Sequence, residues 1–296
     1  MLMDRLFQAK EEQIAYHYCS AATLSAILES RCIRFTDINM LNDSCETKWG
    51  YSAFEEAVNR LNKRTGLSEA VPEIPIAFFD SVDAVLSRIQ TIAHPFVSCF
   101  SLDGDSLEQW RAYGDNGRGF AIGFRIPKLQ QLPVSVLSVE YIRESQIREM
   151  MAALVALYLR KKSNIKEEQE KFFEDCVLTG TFMVAFKHSA FQHEKELRCL
   201  HSVNIKFENE SIRFSDPGGL YGSGQRFAPR PVGFQIRDNH LCAYLDMPFC
   251  TDEGVSPVAE IVLGPRNHSL PGNVLLYLGG LGYSSVDIKT SEVPYQ

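Results

Sequence analysis

No apolar run in this sequence approaches the roughly 18 residues that a membrane-crossing helix needs. The opening residues, Met1-Leu2-Met3-Asp4-Arg5, lack the charged-then-apolar pattern of an export signal. There is no CxxC pair and no Cys/His spacing of a structural zinc site. The eight cysteines stand singly, at 19, 32, 45, 99, 176, 199, 242 and 250, which reads as reduced thiols in a cytoplasmic protein. Neither GxGxxG nor GxxxxGK[ST] occurs, so neither a Rossmann nor a P-loop nucleotide site is indicated. GxSxG is missing too, and only Gly222-Ser223-Gly224 comes near it, so serine-nucleophile catalysis has little support. Cys–His catalysis stays open, with eight cysteines and seven histidines but no signature. Positive charge is also short. Lys plus Arg is 30 against 37 Asp plus Glu, a net charge of −7, which disfavours a dedicated duplex-DNA binder and leaves room for a local basic groove.

What remains is a chain of 296 residues, 45% hydrophobic and 23% charged, the composition of an average soluble protein. Such a length buries about 75% of the unfolded surface and needs no staple. One domain over 1–296 is expected. Ile14–Tyr18 reads as a strand, Ser20 as an N-cap, and Leu24, Ile27 and Leu28 as the stripe of the helix that follows. Ile33–Thr36 is a strand. Asp43 with Glu46 is a capping-box pattern before a stripe from Trp49 to Leu61. Gly66–Pro75 is a loop, and Asp80 opens a helix. Phe96–Ser101, Arg118–Arg125 and Val136–Tyr141 are strands, and Ser106 with Gln109 caps a short helix that Gly114 stops.

Ser145–Lys162 and Asn164–His193 have helical spacing with no proline, so a helical insert over 145–193 is expected, with Asn164 capping its second part. The mixed charges of 160–170 read as a solvated junction. Strands follow at Glu196–Val203, Ser211–Phe214, Val232–Arg237, Leu241–Met247 and Ala259–Leu263. A helix at Val274–Leu281 and a strand at Ser285–Lys289 close the chain. The Gly/Pro-rich segment 216–231 is a surface loop or a lid. Strand clusters with inserted helices argue for an α+β fold.

Four constellations carry candidate chemistry, each beside a purely structural reading. Tyr16-His17-Tyr18-Cys19-Ser20 would place His17 and Ser20 in a cleft, or pack His17 between tyrosines. Met40–Glu46 suits a tight turn and a cap. Trp110 and Tyr113, three apart on a short helix, would sandwich a flat ring if exposed and are core if buried. Arg111 beside them points to a different face and suits a phosphate or plain solvent. Glu194 and Glu196 at a strand start share one face. Two carboxylates side by side ask for a cation, a ligand hydroxyl or a catalytic task, and Lys187 and Arg198 are the neutralising candidates. The same pair suits glycosyl chemistry.

Four blocks resemble a bacterial family of uncharacterised proteins, the domain of unknown function 2971. They are YHYCSAATLSAILESRCIRFTDINMLNDSCE, FVSCFSLDGDSLEQWRAYGDNGRGFAIGF, FKHSAFQHEKELR and VAEIVLGPRN, in that order over residues 16–267. A more distant resemblance is to ADP-ribosyltransferases. These are α+β proteins with a split, twisted sheet around an NAD cleft, a His or Arg on a first strand, a Tyr or Ser on a second, and a Glu-x-Glu opening a third. The order His17, Ser101, Glu194-Lys195-Glu196 is similar. Cys19 stands where some members have Thr, and there is no Ser-Thr-Ser triplet.

This second resemblance implies NAD as substrate. His17 would bond the ribose or the nicotinamide amide, with Ser20 beside it. Ser101 would support the nicotinamide end, and Tyr113 or Trp110 would stack on a ring. Glu196 would stabilise the oxocarbenium, and Glu194 would orient an acceptor, a protein or a nucleic acid. The expected function is therefore an ADP-ribosyltransferase-like enzyme, a toxin or antiphage effector. A nucleotide- or macromolecule-binding module without chemistry and a carboxylate-based hydrolase are the rivals.

Overall fold

The computed structural model describes residues 5–41, 46–64, 67–163, 165–167, 171–208, 210–237, 239–250 and 256–295. It is an α+β protein built on one large sheet. The strands are β1 (Ile14–Cys19), β2 (Cys32–Asp37), β3 (His94–Ser101), β4 (Phe120–Arg125), β5 (Ser135–Ser138), β6 (Glu196–Glu208), β7 (Ser211–Ser215), β8 (Gly219–Leu220), β9 (Arg226–Phe227), β10 (Gly233–Arg237), β11 (His240–Pro248), β12 (Val258–Leu263) and β13 (Asp287–Thr290). The main helices are α1 (Ala21–Ser30), α2 (Glu46–Lys63), α3 (Ile76–Leu86), α4 (Leu107–Ala112), α5 (Arg143–Lys161), α6 (Phe172–Phe182) and α7 (Pro271–Gly280). None of them is long and apolar enough to cross a membrane.

The sheet runs β10-β11-β2-β3-β1-β4-β12-β13, with β6 on the other edge of β3 and carrying β5 and β7. Its decisive feature is a fork. Along one edge β3 pairs with β6 over its whole length, from His94↔Val203 to Ser101↔Glu196. Along the other edge, β2 takes only Phe96 and Val97, and β1 takes only Ser101. Ser98–Phe100 therefore has no strand partner on that edge among the described residues. The strands β2 and β1 diverge from β3 there, so the sheet is split, as expected.

Each face has its own core. On one face α1, α7 and segment 216–231 cover Phe35, Phe96, Phe124, Leu245 and Ile261. On the other, α2, α3, α5 and α6 cover Val97, Leu137 and Leu200. Phe120, Ile122 and Phe124 of β4 lie in the first core, and Ala121, on its other face, packs with Tyr18, Trp110 and Val262.

Local sequence explains most elements. Ser20 caps α1 by accepting from the Thr23 N–H at 3.2 Å, and Leu24, Ile27 and Leu28 are its buried stripe. Other expectations need correction. The Ser106–Gln109 capping box does not form, and the Ser106 hydroxyl turns to Glu108 instead. The third helix opens at Ile76 behind Pro75, ahead of Asp80. The stretch 164–193 is not one helix. After α6 it breaks into two short 3₁₀ segments, Met183–Ala185 and Ser189–Glu194. Asn42, Asp43 and Asn164, expected in turns and caps, lie outside the described residues.

Candidate functional site

A cleft of about 550 Å³ opens at the fork, within the usual range for ligand pockets. Strand β1 contributes Tyr16, His17, Tyr18 and Cys19, and β2 contributes Arg34 and Thr36. Strand β3 contributes Val97, Ser98, Cys99, Phe100 and Ser101, the cap and first turn of α1 add Ser20 and Thr23, and α4 adds Gln109 and Ala112, with Tyr113 just after it. The floor of the cleft is formed by Lys187, Phe191, Glu194, Glu196 and Arg198.

The floor is a buried ionic cluster. Arg198 donates from Nε to Glu196 Oε1 at 2.8 Å and from Nη2 to Glu196 Oε2 at 3.0 Å. Lys187 Nζ lies 3.1 Å from Glu196 Oε2 and 2.5 Å from Glu194 Oε2. Tyr113 donates its hydroxyl to Glu194 Oε1 at 3.0 Å. All four charged residues are buried, Arg198 completely. Burial alone would raise the Glu196 pKa. Arg198 and Lys187 outweigh it, with help from the Cys99 thiol, and hold the carboxyl at about 2 against an ordinary 4.5. Glu196 is therefore a carboxylate throughout the physiological range.

The helical insert explains how these groups meet. Lys187, between its last two 3₁₀ segments, and Glu194, at the end of the second, return to the start of β6. Lys195 adopts the left-handed conformation between the two glutamates, with φ 44°. That turn swings Glu194 onto the same lysine as Glu196. Arg198 also donates to the Val184 carbonyl, tying β6 to the insert.

His17 sits at the fork itself. Its Nδ1 lies 3.0 Å from the Cys99 carbonyl, which can only accept, so Nδ1 carries the proton. Burial lowers the ring's pKa, and the bond to Cys99 offsets part of that. The neutral ring then presents Nε2 as an acceptor. Arg34 and Arg237 also line the cleft, as do Ser20 and Thr23 at the N-terminus of α1. Arg34 is held by Asp246 at 2.8 Å and by Gln235 at 2.7 Å, over the Tyr244 ring. The lining carries four cations, Arg34, Lys187, Arg198 and Arg237, against Asp115, Glu194 and Glu196. With Asp246 on Arg34, cations and carboxylates balance at the cleft, against the chain's net −7.

The fork thus gathers His17, Ser20, Ser101, Tyr113, Glu194 and Glu196 in one cleft. Trp110 is excluded. It is completely buried, meets Tyr18 edge-on at 4.7 Å and donates from Nε1 to Asp105 at 2.7 Å, so it cannot stack on a ligand. Ser101 is also more structural than expected. Its hydroxyl donates to the Glu194 carbonyl at 2.7 Å and accepts the Asp103 N–H at 3.1 Å, so it fixes Glu194. Arg111 is exposed against Tyr295 and lies off the cleft. Segment 216–231 does not line the cleft. It is pinned on the other side by Asp216, which meets His201 at 2.7 Å and accepts from the Arg230 N–H.

Sequence reasoning missed Arg34, Thr36 and Arg237. A signal existed for the first two. In Cys32–Asp37 the buried Ile33 and Phe35 alternate with Arg34 and Thr36, which puts an arginine on the second face of a strand.

Fold and site together define an α+β protein with a ligand-sized cleft in a split sheet, floored by a buried ionic cluster. Its family likeness is partial. The model of a family described as a protein of unknown function (DUF2971) matches residues 109–199. That segment holds Tyr113, Lys187, Glu194, Glu196 and Arg198. His17, Ser20 and Ser101 lie before it. No curated protein and no solved structure matches the chain.

Proposed function

We propose that the fork is an NAD cleft and that the protein is an ADP-ribosyltransferase-like enzyme with Glu196 as its catalytic carboxylate. The observation that carries this reading is the meeting of His17 and an ionised Glu196 across one cleft. Arg34, Arg237 and the α1 N-terminus with Ser20 would take the diphosphate. His17 Nε2 would accept from a ribose hydroxyl, and Tyr113 would flank the nicotinamide. In the reaction the ribosyl C1′–N bond breaks and its electron pair leaves with nicotinamide. Positive charge grows on the sugar, where a fixed carboxylate stabilises the transition state more than the ground state. An acceptor oxygen or nitrogen, from water, a protein or a nucleic acid, then forms the new bond to C1′. Its proton leaves to Glu194 or to solvent.

The test is nicotinamide release and calorimetric NAD binding by wild type and Glu196→Gln, with a chelator present and folding checked by circular dichroism. Release that falls about 10²-fold or more in the variant, with binding retained, supports the proposal. A wild type that neither binds nor turns over NAD sinks it. One observation favours a second reading: both Glu196 oxygens are already held by Arg198 and Lys187. A cleft so neutralised would recognise a nucleotide without cleaving it, and NAD binding with no release would select that module. The rival carboxylate-based hydrolase would use Glu194 and Glu196, and a requirement for a divalent metal would favour it.

A further inference from the structure

The core under α1, α7 and segment 216–231 does not end where that cover ends. Strands β6 and β7 run on as a hairpin with Ile205↔Phe214 and Phe207↔Ile212 paired. Strands β10 and β11 form a second, with Phe234↔Ala243 and Ile236↔Leu241. Cross-strand partners share a face, and residues two apart on a strand do too. Val203 and Ala243 belong to the covered core. The side chains of Ile205, Phe207, Ile212 and Phe214 therefore lie on the same face of the sheet as Phe234, Ile236 and Leu241. The two hairpins touch through Phe214 and Phe234, 6.4 Å apart. Beyond that contact the face is bare: Phe207 is 65% exposed, Ile212 71%, Phe234 57%, Ile236 79% and Leu241 64%.

Each of these five side chains presents roughly 120 Å² to solvent, about 600 Å² in all, the top of the range for a patch on a monomer. Two such patches face to face bury about 1,200 Å², the threshold for a specific, stable interface. A two-fold mate would present the same apolar face to it. We propose that this apolar apron is the contact face of a homodimer, formed by sheet-on-sheet packing of the two hairpins with those of a second copy.

The dimer would also brace the cleft. The residues of β10 alternate, so Phe234 and Ile236 lie on the apron while Gln235 and Arg237 face the other way. Gln235 holds Arg34, and Arg237 lines the cleft.

Light scattering and sedimentation of the wild type over the micromolar range test the proposal, alongside Ile236→Lys, Phe207→Lys and, as control, Leu276→Lys. Leu276 is 75% exposed on α7, away from the two hairpins. All three positions are surface positions, and far-UV circular dichroism checks the fold of each variant. Expected is twice the chain mass for wild type and control, and the chain mass for the two apron variants. A monomeric wild type overturns the proposal and leaves the apron to a different protein. A dimer that survives both apron substitutions places the interface elsewhere and overturns it equally.

Discussion

At the scale of the residue, two fully buried side chains decide what the cleft is made of. Trp110 has its ring in a small core with Tyr18, Ala121 and Val262 and its N–H on Asp105. Trp110→Ala should cost about 3–5 kcal/mol, as for other buried large-to-small changes, and leave NAD affinity changed only through folding. A urea titration beside a binding titration separates the two. A stable variant with weakened binding would return Trp110 to the ligand. Arg198 is the second. Its guanidinium makes two bonds to Glu196 and one to the Val184 carbonyl with no exposure. Arg198→Ala leaves Glu196 buried beside Lys187 alone, and breaking such a pair costs about 3–5 kcal/mol. The same titration checks it, and a loss under 1 kcal/mol would mean that water reaches the cluster.

At the scale of the element, the fork depends on a close approach between β1 and the turn before β4. A Cβ on Gly119 would sit 2.1 Å from the Cys19 carbonyl oxygen and 2.9 Å from that of Gly114. Both obstacles are backbone, so Gly119→Ala must push apart the end of β1 and the turn leading into β4. We expect a loss of about 1–3 kcal/mol, the usual cost of overpacking, together with weaker ligand binding, because Cys19 and Ser20 line the cleft. Thermal melts and calorimetry on one preparation read both. Elements of this kind show what the sequence made legible. Strand β1, helix α1 and the start of β6 were readable because each rests on its own periodicity and caps. Four of the six cleft residues, His17, Ser20, Glu194 and Glu196, lie on or beside them and came with that reading. The breaks after α6 were not readable. No Gly or Pro marks them, and the groups that require them, Glu196 and Arg198, lie further along the chain. Arg237 was invisible for the same reason, since only the pairing of β11 with β2 brings β10 to the cleft.

At the scale of the whole molecule, two buried carboxylates link the ends of β6 to its surroundings, and both tie folding to pH. Glu196 opens the strand with its pKa held at about 2 by Arg198 and Lys187 against the effect of burial. Asp216 follows β7 and accepts from His201 on β6. Burial raises its pKa, but the bonds from His201, Arg230 and Gly218 more than reverse that, and the net shift is downward. A carboxyl whose pKa is lower folded than unfolded binds more protons in the unfolded state as acid is added. Its contribution is complete above the unfolded value and is lost as pH falls through the folded one. For Glu196 that window runs from 4.5 down to about 2, and the linked stability is on the order of 3 kcal/mol. Urea midpoints at successive pH values should therefore fall steeply across this window in wild type. In Glu196→Gln the fall should be shallower, leaving the part due to Asp216 and other carboxylates, while stability at neutral pH is lower because Arg198 and Lys187 lose their anion. The two curves should approach each other in strong acid. Parallel curves would mean that Glu196 keeps its unfolded pKa in the folded protein, and a wild type that instead loses stability against the variant as pH rises above 4.5 would hold a neutral carboxyl, which cannot stabilise a cationic sugar.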